Sequence, residues 1–69
     1  MIYLEPRAVY DEAIIGQQGE DILIYSFWAI VDALMETGWT EAEAMEHICY
    51  NIMGTSLPGW PIILEIPPE

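Results

Sequence analysis

Glu43, Glu46, His47 and Cys49 fall within seven residues and are the types that hold metals or attack carbonyls. Glu43 and His47 are four apart, so on a helix they share a face and make an ordinary side-chain contact. A tetrahedral metal centre needs further ligands, and the chain contains one His and one Cys, so no metal site is expected. Two residues apart on a helix, His47 and Cys49 diverge by about 200°. Cys49 then points to the buried face and His47 to the solvated one, which leaves no nucleophile beside a base. Carboxylates are paired at Asp11-Glu12, Glu20-Asp21 and Asp32 with Glu36. General acid–base work needs one of a pair held neutral in an apolar cleft, and these positions read as solvated turns and helix faces. Gly16-Gln17-Gln18-Gly19 lacks the spacing of a phosphate loop and runs into Glu20 and Asp21, which repel phosphate. Ser26 is better placed as a helix cap, and Ser56 sits in a loop. No catalytic residue, cofactor or enzymatic activity is expected.

The elements that position these side chains are short. Residues 1–12 begin extended, with Pro6 holding Glu5 out of the helical region. Ala13-Ile14-Ile15 and Ile22-Leu23-Ile24-Tyr25 flank the Gly16–Gly19 turn and read as a β-hairpin. Ser26 caps a first helix whose Phe27, Ile30, Val31 and Leu34 form the i, i+3, i+4, i+7 stripe. Ala29, Asp32, Ala33 and Glu36 form its weakly polar strip, and Gly38 ends it. Thr40-Glu41-Ala42-Glu43 is a capping box, with its acids at the positive end of the helix dipole. It opens a second helix reaching about Met53, with Met45, Ile48, Cys49 and Ile52 on one face and Glu43, Glu46, His47 and Tyr50 on the other. Ile62–Ile66 forms a third strand after a loop rich in Pro and Gly, and Pro67-Pro68 stops it. The expected fold is a single α+β domain over residues 1–69, ordered ββααβ. An αα-hairpin packs on one face of its three-stranded sheet.

Size and charge narrow the function. The 69 residues carry 12 acids and one base, Arg7, for a net charge of −11, with no lysine. One Arg cannot release a counterion layer, so direct nucleic-acid binding is excluded. An anionic membrane surface is excluded by the sign of the charge. The longest apolar stretch, Ile22–Val31, is too short to span a bilayer. The opening residues lack the basic, then apolar pattern of a secretory leader. A lone Cys suits a reducing compartment, and a cytosolic location is expected. A chain this short buries only about 60% of its unfolded surface, and its core supplies roughly 3–5 kcal/mol. With no disulfide or metal to help, a homo-oligomer, most simply a dimer, is the expected support.

Tyr10-Asp11, Ala13-Ile14-Ile15-Gly16, Ile24-Tyr25-Ser26, Gly38, Thr40–Asn51 (TEAEAMEHICYN), Gly54 and Pro61-Ile62 together resemble a family of small bacteriophage and prophage proteins. In that family a YD-x-A-L-x-G start leads to a V-Y-S/D strand. One helix ends in G-M-S/T-x-E-E-A, a second ends in Y/F-N, and a G-A-Y-x-G…T-P-I close follows. The resemblance covers most of residues 10–64 and is most specific from Gly38 to Asn51. Trp39 stands where Met is usual, and the loop from Gly54 to Pro61 departs from the family's close. The resemblance implies a phage protein acting in the host bacterial cytoplasm and implies no catalysis.

The expected function is therefore an acidic interaction protein that binds and inhibits a host protein. Its sharpest forms are an anti-CRISPR or other anti-defence protein, or a nucleic-acid mimic that occupies the basic groove of a nucleic-acid-handling protein. Asp32, Glu36, Glu41, Glu43 and Glu46 form the expected acidic face. Trp28, Trp39, Tyr50 and Trp60 are the expected aromatic contacts of an oligomer or partner interface. The alternatives are an oligomeric module that sequesters a small ligand, and a structural phage component.

Overall fold

The computed structural model describes residues 1–65. Its elements are α1 (Arg7–Tyr10), a 3-10 turn (Asp11–Ala13), β1 (Ile14–Gln18), β2 (Ile22–Ser26), α2 (Phe27–Glu36), α3 (Glu41–His47), a π-helical turn (Ile48–Ile52) and β3 (Ile62–Leu64). The result is a small α+β protein with a three-stranded mixed sheet. The helical turns of residues 7–13 follow a non-helical start over residues 1–6 and take in Ala13, which was expected in the first strand. Pro6 is the N-cap of α1, a position where its missing N–H costs nothing, and its carbonyl accepts from the Val9 and Tyr10 N–H groups at 3.0 and 3.2 Å.

The hairpin forms as its apolar runs require, with a longer first strand. β1 continues through Gln18, so the turn lies at Gly19–Asp21. Ile14 pairs with Tyr25 and Gly16 with Ile24, which leaves Ile15 as the extra residue of a bulge, its side chain exposed. β2 is the central strand, and its alternation buries Leu23 and Tyr25. β3 pairs with it in parallel, Tyr25 opposite Ile63. Ile63 packs against the core and Leu64 is exposed. Glu65 of the expected third strand lies beyond β3, and Ile66 lies outside the described residues.

Ser26 caps α2, its Oγ accepting from the Ala29 N–H at 3.3 Å. All four residues of the predicted stripe are buried. Ala33 is buried as well, so the polar strip narrows to Asp32 and Glu36. The C-terminus of α2 closes in a Schellman motif. Gly38 N–H donates to the Met35 carbonyl at 3.1 Å and Trp39 N–H to the Leu34 carbonyl at 3.2 Å. Gly38 has φ +106°, a conformation an L side chain rarely adopts.

The capping box of α3 is complete: Thr40 Oγ1 accepts from Glu43 N–H at 3.1 Å, and Glu43 Oε1 accepts from Thr40 N–H at 3.0 Å. The helix then widens. Met53 N–H donates to the Ile48 carbonyl at 2.7 Å, five residues back, which makes a π-helical turn of the segment expected to be regular α-helix. Ala44, Ile48 and Ile52 form the buried row. Cys49 is exposed and His47 is half-buried, the reverse of their expected placement. The reason is that Ile48, not Cys49, marks the centre of the buried face, so His47 falls on its flank against the N-terminal segment. Tyr25, Ile30, Val31 and Ile48 are the largest fully buried side chains. Each such aliphatic side chain contributes about 1.5–3 kcal/mol by leaving water. Among the described residues no helix is long and apolar enough to cross a membrane.

Candidate functional site

His47 is the meeting point of three separate parts of the chain. Its Nε2 lies 3.4 Å from the hydroxyl of Tyr10, on α1. Its Nδ1 lies 3.3 Å from Nδ2 of Asn51, one turn onward in the π-helical segment. The indole of Trp39, aimed by the Schellman motif, meets the imidazole edge-on with ring centroids 4.9 Å apart. Both ring nitrogens of His47 thus lie within hydrogen-bond reach of a polar side chain, Tyr10 on one side and Asn51 on the other. Burial pushes the Tyr10 phenol above its ordinary range and keeps it neutral.

Concavities lie on both sides of this cluster. One, of about 340 Å³, is lined by Tyr3, Leu4, Glu5, Tyr10, His47, Asn51, Ile52 and Trp60. The other, of about 370 Å³, is lined by Glu5, Pro6, Val9, Tyr10, Leu34, Thr37, Trp39 and His47. Glu5, Tyr10 and His47 belong to both. The wall from Tyr3 to Glu5 is strapped to the core by the buried Tyr25 hydroxyl, which accepts from Leu4 N–H at 3.0 Å. Trp60 is fixed from the other side, its indole N–H donating to the Ile52 carbonyl at 2.8 Å. The Arg7 guanidinium lies 3.7 Å over the Tyr3 ring centroid and forms an ion pair with Asp11 at 3.2 Å. The Asp11 hydrogen bond is the main effect raising the Arg7 guanidinium pKa above its ordinary value.

The aromatic residues singled out from the sequence divide. Trp39 and Trp60 line the concavities. Trp28 stacks edge-on against Phe27 with centroids 5.0 Å apart, and Tyr50 projects into solvent, 76% exposed. Neither Trp28 nor Tyr50 is in the concavity walls.

The five residues of the predicted acidic face are all exposed: Asp32 and Glu36 one turn apart on α2, and Glu41, Glu43 and Glu46 on α3. Glu43 has a structural role, because its carboxylate closes the capping box. The Thr40 backbone N–H, and then the Thr40 side chain, hold it below the ordinary carboxylate value. The expected Glu43–His47 contact is replaced by these bonds and by those of His47 to Tyr10 and Asn51.

Cys49 does not line either concavity. Among the described residues no group of three or more His, Cys, Asp or Glu is gathered to hold a metal ion. The arrangement offers ring faces, an apolar floor and one carboxylate, a combination suited to binding. Sequence reading missed Tyr10 and Asn51 as partners of His47, and Tyr3 and Glu5 as lining of the concavities. The i,i+4 spacing of His47 and Asn51 was legible, but the approach of the N-terminal segment has no periodic signal. No family model, curated protein or solved structure matches the chain.

Proposed function

We propose that this chain is a small acidic phage-type interaction protein that binds a basic surface of a bacterial host protein and inhibits it, without catalysis. The carrying observation is the charge distribution. Every acidic side chain among the described residues is exposed or half-exposed, and the only ion pair there is Arg7–Asp11. Such a surface is steered towards basic grooves and competes there with nucleic acid. An anti-CRISPR, another anti-defence protein and a nucleic-acid mimic are forms of this same activity. The reading takes the resemblance of Tyr10–Leu64 to phage and prophage proteins as genuine, with the host cytoplasm as the place of action. It takes α2 and α3 as an αα-hairpin on one sheet face within a ββααβ core. It also takes the protein as a homodimer, which the exposed Tyr50, Met53 and Leu57 support.

The test is capture from bacterial lysate with tagged protein at about physiological salt and at higher salt, where exposed charge contacts weaken. The companion variant carries Asp32→Lys, Glu36→Lys and Glu46→Lys and leaves Glu43 to its cap. One stoichiometric partner, lost at high salt and with the variant, is expected, and nucleic acid should displace it. A partner indifferent to both changes, or none bound by folded protein, overturns the reading.

The concavities beside His47 favour a second reading, sequestration of a small planar ligand. It requires purified protein to carry an ultraviolet-absorbing molecule that denaturation releases.

A further inference from the structure

The groove on both sides of His47 differs in chemistry from the rest of the surface. It combines the aromatic side chains of Tyr3, Trp39 and Trp60 with an apolar floor. Glu5 is the one carboxylate in its walls, it lines both halves, and no Lys or Arg lines either. Glu5 is exposed and takes part in no ion pair among the described residues. The chain also displays the matching ligand chemistry, since the Arg7 guanidinium rests 3.7 Å over the Tyr3 ring at the groove's edge.

We propose that this groove receives an arginine side chain from the partner's basic surface, its guanidinium stacked on the aromatic walls and forked to the Glu5 carboxylate. The proposal rests on the reading of the protein as a binder of a basic partner, and it names the recognition element. A guanidinium is planar, weakly hydrated and able to stack and donate two parallel hydrogen bonds at once. Its aliphatic stem finds Leu4 and Ile52 in one half of the groove and Val9 and Leu34 in the other. A phosphate-bearing ligand is opposed by Glu5 and by the net charge of −11. The same charge draws a cationic segment in.

The experiment uses the full chain, isotope-labelled, and capped five-residue glycine peptides with one central arginine, lysine or citrulline. Saturable NMR shifts are expected at the Trp39 and Trp60 indole N–H groups and the His47 ring with the arginine peptide. Citrulline, the neutral isostere, should bind at least about tenfold more weakly, with lysine between the two. Glu5→Gln should weaken arginine binding about tenfold without altering the rest of the spectrum. Trp39→Leu, at a partly exposed ring, is the second variant and should weaken it several-fold. Equal binding of citrulline, preference for lysine, or shifts spread over α2 and α3 and unchanged by Glu5→Gln overturn the proposal. Lysate capture by the same variants separates the two claims. A salt-sensitive partner retained by both Glu5→Gln and Trp39→Leu removes the arginine site and keeps the acidic-binder reading. Arginine seated in the groove with no partner captured keeps the site and removes that reading.

Discussion

The hydroxyl of Tyr25, fully buried in the central strand, accepts a hydrogen bond from the backbone N–H of Leu4 at 3.0 Å, across 21 residues of chain. That bond ties the N-terminal segment to the sheet and so holds the Tyr3–Glu5 wall of the groove in place. Tyr25→Phe keeps the ring and strands the Leu4 N–H away from water. The expected cost is about 1–3 kcal/mol in urea unfolding, with faster amide exchange confined first to residues 2–5. Exchange rates unchanged at Leu4 would show that the strap carries no load.

Alkaline pH attacks the same strap. Burial raises the Tyr10 and Tyr25 phenols above their ordinary value of 10.0. The unfolded chain therefore loses these protons first as pH rises. Stability is full below the unfolded value and falls as pH climbs above 10, until the folded phenols also ionise. Denaturant midpoints measured against pH should fall on this limb, and less steeply in Tyr25→Phe. A flat profile would contradict the assignment.

The start of α3 has the opposite pH sign. Glu43 is held below the ordinary 4.5 by the Thr40 backbone N–H and then the Thr40 side chain. Its contribution is present above the unfolded value and disappears as pH falls through the lower folded one. Stability curves of the wild-type protein and Glu43→Gln should separate at neutral pH and converge in acid. Thr40→Ala removes the other half of the box and should cost about 1 kcal/mol at neutral pH.

Gly38 sets the direction in which Trp39 leaves α2. A Cβ there meets nothing within 4 Å, so the penalty for Gly38→Ala comes from backbone conformation at φ +106° alone. About 1–2 kcal/mol of destabilisation is expected. Relaxation of the Schellman turn should also move the Trp39 indole resonance and the His47 ring that it stacks on. A full-strength Trp39–His47 contact in the variant would refute this role for the glycine.

Local patterns wrote most of the scaffold. The stripe from Phe27 to Leu34, the Ser26 cap, the Thr40–Glu43 box and the apolar runs of the hairpin each depend on neighbours within a few residues. Backbone geometry and capping chemistry act over that same range. The sequence also determined the net charge of −11, whatever the fold. Tertiary packing decided the site. The facing of His47 depended on Ile48 becoming the centre of the buried row and on a π-helical turn that no local spacing announced. Its partners Tyr10 and Trp39 reach it from α1 and the turn after α2, and Tyr25 holds the facing wall. These contacts join residues up to 37 apart. They form because the N-terminal segment packs back on the core through the buried Leu4 and Tyr10.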